Sequence, residues 1–505
     1  MIDGGVFLGR DPTVEIGAEL DELMRRLDRF GADRALAASF KGIYYDYREG
    51  NDEMLRSCES SDGRLLPVAT VNLSGYDCTS GYLRDLKQRR FVALGLYAPM
   101  QAWDWSDHIV RKIAEQAAEL DFPIQAGVAN ARELGALARS AGPVGATVMV
   151  RWLRGGGYNN VADMIAVAED YPGFRFDVGT TTQSGAIEYL AERIGASRLF
   201  MASNAPLTLE AAPYFLLYAA RLSAEDRAAI EHGTLANILG IDAPSGPARR
   251  HPMWEAFRDS AKIDTHWHTG TWNIIEPRID FADMSEDFDR FNYRIVVSSS
   301  IRALNYDLPA GNAETLAFVE SDPRVFGLIV VNPYRIAESL EQIDRYRDHP
   351  RFVGLKTIQD YYQDREFLRL DHPNYAPLLE RARELELPVM AHLPGMAEVA
   401  AAFPEVTFVA AHSTWRYEDL AKLPNVYFDI ATSTALRSQA NLAGLIEAVG
   451  EDRVVFSSDA QLMSPAWTLG KLVSIDLPEA TLEKVLRVNA LSAFPRLAAA
   501  MREAA

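Results

Sequence analysis

The chain repeats itself, and this constrains its fold more than any other feature. Six segments of the first half return in the same order in the second: 34–39 over 294–299, 64–72 over 324–332, 90–92 over 351–353, 122–126 over 387–391, 176–180 over 428–432 and 198–203 over 453–458. The matches are local and chemical. Phe122-Pro-Ile-Gln-Ala126 lies over Leu387-Pro-Val-Met-Ala391, and Phe176-Asp-Val over Phe428-Asp-Ile. Offsets drift between 252 and 265, as loop insertions make them. Solenoid repeats run to roughly 20–50 residues, so a period near half the chain is a duplicated domain. A chain of 505 residues also exceeds what one core supports. The Pro/Gly/Ser-rich stretch 241–251 reads as the linker. The predicted domains are therefore 1–245 and 246–505.

Each half carries about eight short apolar runs separated by helix-length segments. In the second half the runs are 262–268, 294–299, 325–332, 352–356, 387–392, 407–412, 426–430 and 453–458. Continuous apolar runs suit strands buried on both faces of a parallel sheet. The segments between, such as Ala376-Pro-Leu-Leu-Glu-Arg-Ala-Arg-Glu-Leu385, hold good helix formers. Strand–helix alternation eight times over about 250 residues predicts an α/β fold of two tandem (β/α)8 TIM barrels. A doubly wound sheet in each half is the alternative.

Composition narrows the partners. Apolar residues make up 48% and charged residues 24%, a globular balance rather than a disordered one. The 51 Lys+Arg against 70 Asp+Glu leave a net charge of −19, which opposes a nucleic-acid or anionic-membrane partner. A small-molecule substrate is expected instead. The longest apolar stretch, 211–220, is interrupted by Pro213 and is too short to span a bilayer. Two cysteines, Cys58 and Cys78, read as free thiols of a reducing compartment, and the N-terminus lacks a signal-peptide pattern, so the cytoplasm is expected.

Chemistry concentrates at the strand ends of the second half, where TIM barrels place catalytic groups. The first run ends Ile263-Asp-Thr-His266-Trp-His268, and residues i and i+2 of a strand face the same side. The fourth run ends at Lys356, the fifth at His392, the sixth at His412 and the eighth beside Asp459. Four of the chain's nine histidines would share one barrel mouth. Imidazole and carboxylate donors without thiolate suit Zn, Fe or Mn. Lys356 is either carboxylated, to bridge two metals, or a cation that pairs with substrate. Glu276, Gln359 and Asp360 follow strand ends and are further candidates. His108, His232, His251, His349 and His372 fall in helices or loops and carry no assigned role.

The residues Ile263-Asp-x-His-x-His268, Gly354-Leu-Lys356, Ala391-His392, Ala411-His412 and Ser457-Ser-Asp459 resemble the amidohydrolase superfamily, most closely its amidohydrolase-2 branch of hydrolases and decarboxylases. The resemblance covers the whole second half. It implies metal ligation by His266, His268, His392, His412 and Asp459, with Lys356 as a bridging ligand when carboxylated. Two departures from the branch, Ser413-Thr-Trp415 after His412 and Ala460-Gln461 after Asp459, bear on the substrate. The first half resembles the same family with its ligands erased: Gly5, Phe7, Gly95, Gly127, Arg151 and Asn204 stand at the six positions. This implies a barrel without metal, a pseudo-subunit in a fused pair, with a homodimer of the whole chain as a further expectation. Arg151 and Arg154 precede Gly155-Gly-Gly157 at a strand end and are candidate substrate-binding cations, the alternative being an arginine paired with an acid.

Two chemistries compete. In the first, water with a lowered pKa attacks a carbonyl and Asp459 shuttles the proton, giving hydrolysis or decarboxylation. In the second, two irons activate O2. This layout is similar to the TIM-barrel non-haem diiron monooxygenases of the superfamily, which pair a live barrel with a degenerate one and hydroxylate small molecules, CoA-linked acyl groups among them. The degenerate first half tips the expectation narrowly towards the monooxygenase, with two divalent metals, iron before zinc or manganese. A non-catalytic metal-binding scaffold is the third alternative.

Overall fold

A computed structural model describes residues 1–14, 16–75, 80–153, 160–208, 211–245, 249–273, 279–358, 368–412, 417–431 and 439–503. Arg154, Glu276, Gln359, Asp360, Cys78 and residues 413–415 lie outside the described residues. The chain divides into two compact units, Met1–Trp254 and Glu255–Ala505. Among the described residues no helix is long and apolar enough to cross a membrane.

The first unit is a sheet of nine strands: β1 (Ile2–Asp11), β2 (Ile16–Ala18), β3 (Arg34–Ser39), β4 (Leu65–Thr70), β5 (Ala93–Leu96), β6 (Ile124–Val128), β7 (Val148–Trp152), β8 (Phe174–Asp177) and β9 (Leu199–Phe200). Its order is β2-β1-β3 and onwards to β9, parallel throughout except for β2 on β1. The small antiparallel strand β2 is an addition to the expected eight. It follows a turn in which Asp11 accepts the Thr13 N–H. The second unit has β10 (Lys262–Thr269), β11 (Tyr293–Ser300), β12 (Val325–Val330), β13 (Phe352–Lys356), β14 (Val389–Ala391), β15 (Phe408–Ala410), β16 (Val426–Asp429) and β17 (Val454–Val455), all parallel and in chain order. Both are TIM-barrel-like sheets, with helices among the described residues in every connection between neighbouring parallel strands except β15 to β16. Each ring is closed just past the last strand. In the second unit Thr265 N–H donates to Phe456 C=O, Asp459 N–H to His266 C=O and His268 N–H to Ala460 C=O. In the first, Gly4 donates to Met201, Asn204 to Gly5 and Phe7 to Ala205.

The strands form where the sequence is apolar without interruption: Val-Phe-Gly-Leu-Ile-Val of β12 is buried at every position. Ile263, Val297, Leu328, Val353, Met390, Val409 and Val455 belong to one core cluster. Amphipathic helices bury one stripe; Leu20–Phe30 buries Leu23, Leu27 and Phe30 and ends on Gly31 at φ 68°. The duplication extends to individual hydrogen bonds. Ser39 and Ser300 each cap the short helix that follows the second long strand. Asn51 grips both backbone groups of Thr70, and Asn312 grips both of Val330.

Candidate metal centre

The strand-end donors of the second barrel converge. His266 and His268 put their Nε2 atoms 3.2 Å apart. Lys356, the last residue of β13, brings Nζ to 2.9 Å from His266 Nε2. Asp459, beyond β17, places Oδ1 3.1 Å from His268 Nε2 and 3.5 Å from His266 Nε2. His412, beyond β15, lays its ring 5.0 Å from that of His266, and His392, beyond β14, lies 5.0 Å from His412. Donor atoms of His266, His412 and Asp459 all lie within 4.8 Å of one another. His412 and Asp459 sit at φ 55° and 59°, left-handed values that non-glycine residues seldom adopt and that cluster at functional sites.

What orients these groups was not assigned from the sequence. His266 Nδ1 lies 2.6 Å from Asp429 Oδ2, His268 Nδ1 3.1 Å from the Ser299 carbonyl and His412 Nδ1 3.5 Å from the Ala431 carbonyl. An acceptor at each Nδ1 places the proton there and leaves Nε2 as an electron-pair donor, the arrangement that supports metal-bound imidazoles. Burial, reinforced by the Lys356 charge, holds His266 well below the ordinary imidazole range, and burial lowers His412 as well. Neutral imidazole is the form that binds a cation. Asp459 Oδ1 is buried and has no aligned hydrogen bond among the described residues. Nitrogen lone pairs and a carboxylate oxygen packed this closely suit a divalent cation among them.

The first barrel is an internal control. Asp264 Oδ1 accepts the N–H groups of His266 and Ser458, and Asp3 Oδ1 accepts those of Gly5 and Ser203. The aspartate of the Asp-x-His-x-His segment therefore serves ring closure, with or without the imidazoles. Asp177 corresponds to Asp429 and accepts from Gly179 and Ala202. Burial pushes its carboxyl up to about 7.

The vacated ligand positions are filled. A Cβ on Gly5 would meet Arg151 Cζ at 2.0 Å, one on Gly95 would meet the Tyr97 ring at 2.8 Å, and one on Gly127 would meet Leu153 at 2.5 Å. Arg151, expected as a substrate-binding cation, is fully buried. Its Nε and Nη2 donate to Asn204 Oδ1 at 3.1 and 2.6 Å, and Nη1 donates to Gln125 Oε1 at 2.8 Å. Its guanidinium lies 4.6 Å from the Phe7 ring centre. Its hydrogen bonds go to amides and its face to an aromatic ring, while the buried Asp177 and Asp3 carboxylates oppose its charge electrostatically, so acids do stand near it as the alternative reading expected. Of the five histidines given no role, His349 and His372 accept backbone N–H groups with Nδ1, and His251 does so while packing on Phe30.

A family model described as Amidohydrolase matches residues 30–241 and 263–496. No curated protein sequence matches the chain. Similar solved structures include 2,6-dihydroxybenzoate decarboxylase from Rhizobium, at 14% identity over 47% of this chain and 99% of that one, with a TM-score of 0.38. A dihydroxybenzoic acid decarboxylase from Polaromonas sp. JS666, with manganese and 2-nitroresorcinol bound, is 15% identical over 46% and 96%, with a TM-score of 0.36. 4-Oxalomesaconate hydratase from Rhodopseudomonas palustris is 18% identical over 48% and 98%, with a TM-score of 0.37.

Proposed function

The chain belongs to the amidohydrolase family, and on that premise we propose that its second barrel is a divalent-metal-dependent hydrolase or decarboxylase of a small carbonyl-containing molecule. The observation that carries this is the cluster of buried His266 and Asp459 with half-buried His412, and with His268 and Lys356 against it. Oxygen activation by two irons, placed first from the sequence, gains nothing from family membership; hydrolysis and decarboxylation, placed second, do.

In this proposal His266, His268, His412 and Asp459 hold the cation, with His392 beside His412. A divalent cation there supplies Lewis acidity and water of lowered pKa. The chain's own groups do the rest. Asp429 and the Ser299 carbonyl fix the two β10 imidazoles through Nδ1. Asp459 would hold the cation through Oδ1, which faces both Nε2 atoms; in the hydrolytic reading its other oxygen takes the proton of the attacking water and returns it to the leaving group. Lys356 Nζ holds the negative charge of a substrate carboxylate or of the oxyanion that develops.

The test is turnover by the full chain, stripped of metal and reloaded with zinc under strict anaerobiosis, on a panel of carboxylic acids, esters and lactones. Turnover at the same rate with and without O2 is expected. A requirement for iron and O2, with label from ¹⁸O2 in the product, would overturn the reading.

A further inference from the structure

One short segment holds two of the imidazoles. His266 leans on the Asp429 carboxylate and His412 on the Ala431 carbonyl, so Asp429-Ile430-Ala431 sets the direction of both rings. The carboxylate is itself fixed, since Asp429 Oδ1 accepts the Ala431 N–H and the Ser457 hydroxyl. At the centre of this segment the Ile430 carbonyl accepts from Lys471 Nζ at 2.7 Å.

Lys471 is an unusual residue for its place. It lies on the helix Pro465–Val473 that follows the last strand, and it is fully buried. Burying an ammonium is costly unless it is paired and hydrogen-bonded: burial pushes the Lys471 amine down to about 7, and the Asp429 charge opposes that shift. The corresponding helix of the first barrel, Ala211–Ala219, reads Ala-Ala-Pro-Tyr-Phe-Leu-Leu-Tyr-Ala, is equally buried and carries no charge. A helix at this place therefore packs well without a lysine. The first barrel keeps Asp177 at the Asp429 position, but it has no imidazoles to orient.

We propose that Lys471 is a positioning residue of the metal centre: its Nζ pins Asp429-Ile430-Ala431 through the Ile430 carbonyl, and through that segment it aims the Nε2 atoms of His266 and His412. This rests on the metal-centre reading above and adds a residue outside the strand ends. Lys471 does not touch the cation. Its loss acts on how well two ligands are aligned, and the loss of such outer partners weakens metal binding about 10–100-fold.

The experiment uses the full chain and cobalt(II) as the probe. Cobalt affinity is measured by chelator competition, and ligand geometry by the visible absorption of the cobalt protein. Lys471→Met is expected to lower the affinity at least about tenfold and to change the absorption bands. Leu469→Ala, on the same helix and also buried, is expected to lower thermal stability while leaving affinity and bands as in the wild type. Lys471→Gln keeps a donor for the Ile430 carbonyl without the charge and carries the test if the methionine variant does not fold. Wild-type affinity and bands in a folded Lys471 variant overturn this inference and leave the metal centre standing. A wild-type chain that binds no cobalt overturns both. An equal loss of affinity in Leu469→Ala also overturns it, because general loosening of the helix then accounts for the effect.

Discussion

Adding one methyl group at Gly5 should unsettle the first barrel far more than a small-residue exchange in a strand normally does. The added Cβ would lie 2.0 Å from Arg151 Cζ and 2.3 Å from Nε and Nη1. Ordinary carbon contacts begin near 3.5 Å, so the guanidinium must retreat by roughly 1.5 Å. The retreat breaks the bonds of 2.6 and 3.1 Å to Asn204 and of 2.8 Å to Gln125. Hydrogen bonds to a charged group contribute about 1.5–3 kcal/mol each, and some are remade after the shift. Gly5→Ala should therefore cost about 4 kcal/mol. With Arg151→Ala already present the space is free, and alanine suits a strand better than glycine, so the same change should cost under about 1 kcal/mol. The coupling between the two sites is then about 3 kcal/mol, at the top of the range for residues in contact. Because the chain has two barrels, a single melting curve is a poor assay. Amide exchange read by mass spectrometry on β1 and β7 peptides reports the first barrel by itself. A loss of about 4 kcal/mol appears there as roughly a thousandfold faster exchange. A cost below about 1 kcal/mol with Arg151 in place, or an equal cost without it, would refute the idea that Arg151 occupies the first ligand position.

Elemental analysis of the full chain should show metal lost in His266→Ala and retained in both Arg151→Ala and Asn204→Ala; the opposite pattern would place the cation in the wrong barrel. Asp429→Asn should weaken zinc binding about 10–100-fold, because an amide is a poorer acceptor for His266 Nδ1 than a carboxylate, and unchanged zinc competition would count against that role. Zinc at a hundredfold excess over its Kd should stabilise the second barrel by about 2.7 kcal/mol in calorimetry, and a chelator should remove the gain. In a Cys78→Ser background, Cys58 should resist thiol reagents at pH 8 until the chain unfolds. Burial pushes its thiol up to about 12, so the reactive thiolate, which forms only as pH rises through that value, is scarce at pH 8. Labelling of the folded protein within minutes would contradict this.

The second barrel was legible because parallel strands buried on both faces carry unbroken apolar runs. Every run read from the second half contains a strand, although β12, β14, β15, β16 and β17 are shorter than their runs. The ligand candidates were legible for a related reason: polar residues at the ends of such runs stand out against them. Residues that act through another group were not. Asp429 ends a strand in the same Phe-Asp pattern as Asp177, so the pattern marks the repeat and not the imidazole it serves. Lys471 sits on a helix, among residues whose burial no periodicity announces. The contents of the first barrel were equally hidden. Glycine at positions 5, 95 and 127 showed that ligands were missing, but the groups that replaced them come from Arg151, Tyr97 and Leu153, and of these only Arg151 stands at one of the ligand positions.

Those three glycines have a consequence for the history and the engineering of the chain. A histidine or lysine restored at any one of them would be driven into a side chain already there, and the barrel would weaken before it gained a donor. Clearing Arg151, Tyr97 or Leu153 first would open a void, and for Arg151 would also take the guanidinium from the amide oxygen of Asn204 and leave that of Gln125 to the Tyr97 hydroxyl. Each order of single steps crosses a less stable protein. The loss of chemistry in the first barrel is thus held in place by packing, a one-way passage, and reviving that barrel calls for several simultaneous substitutions.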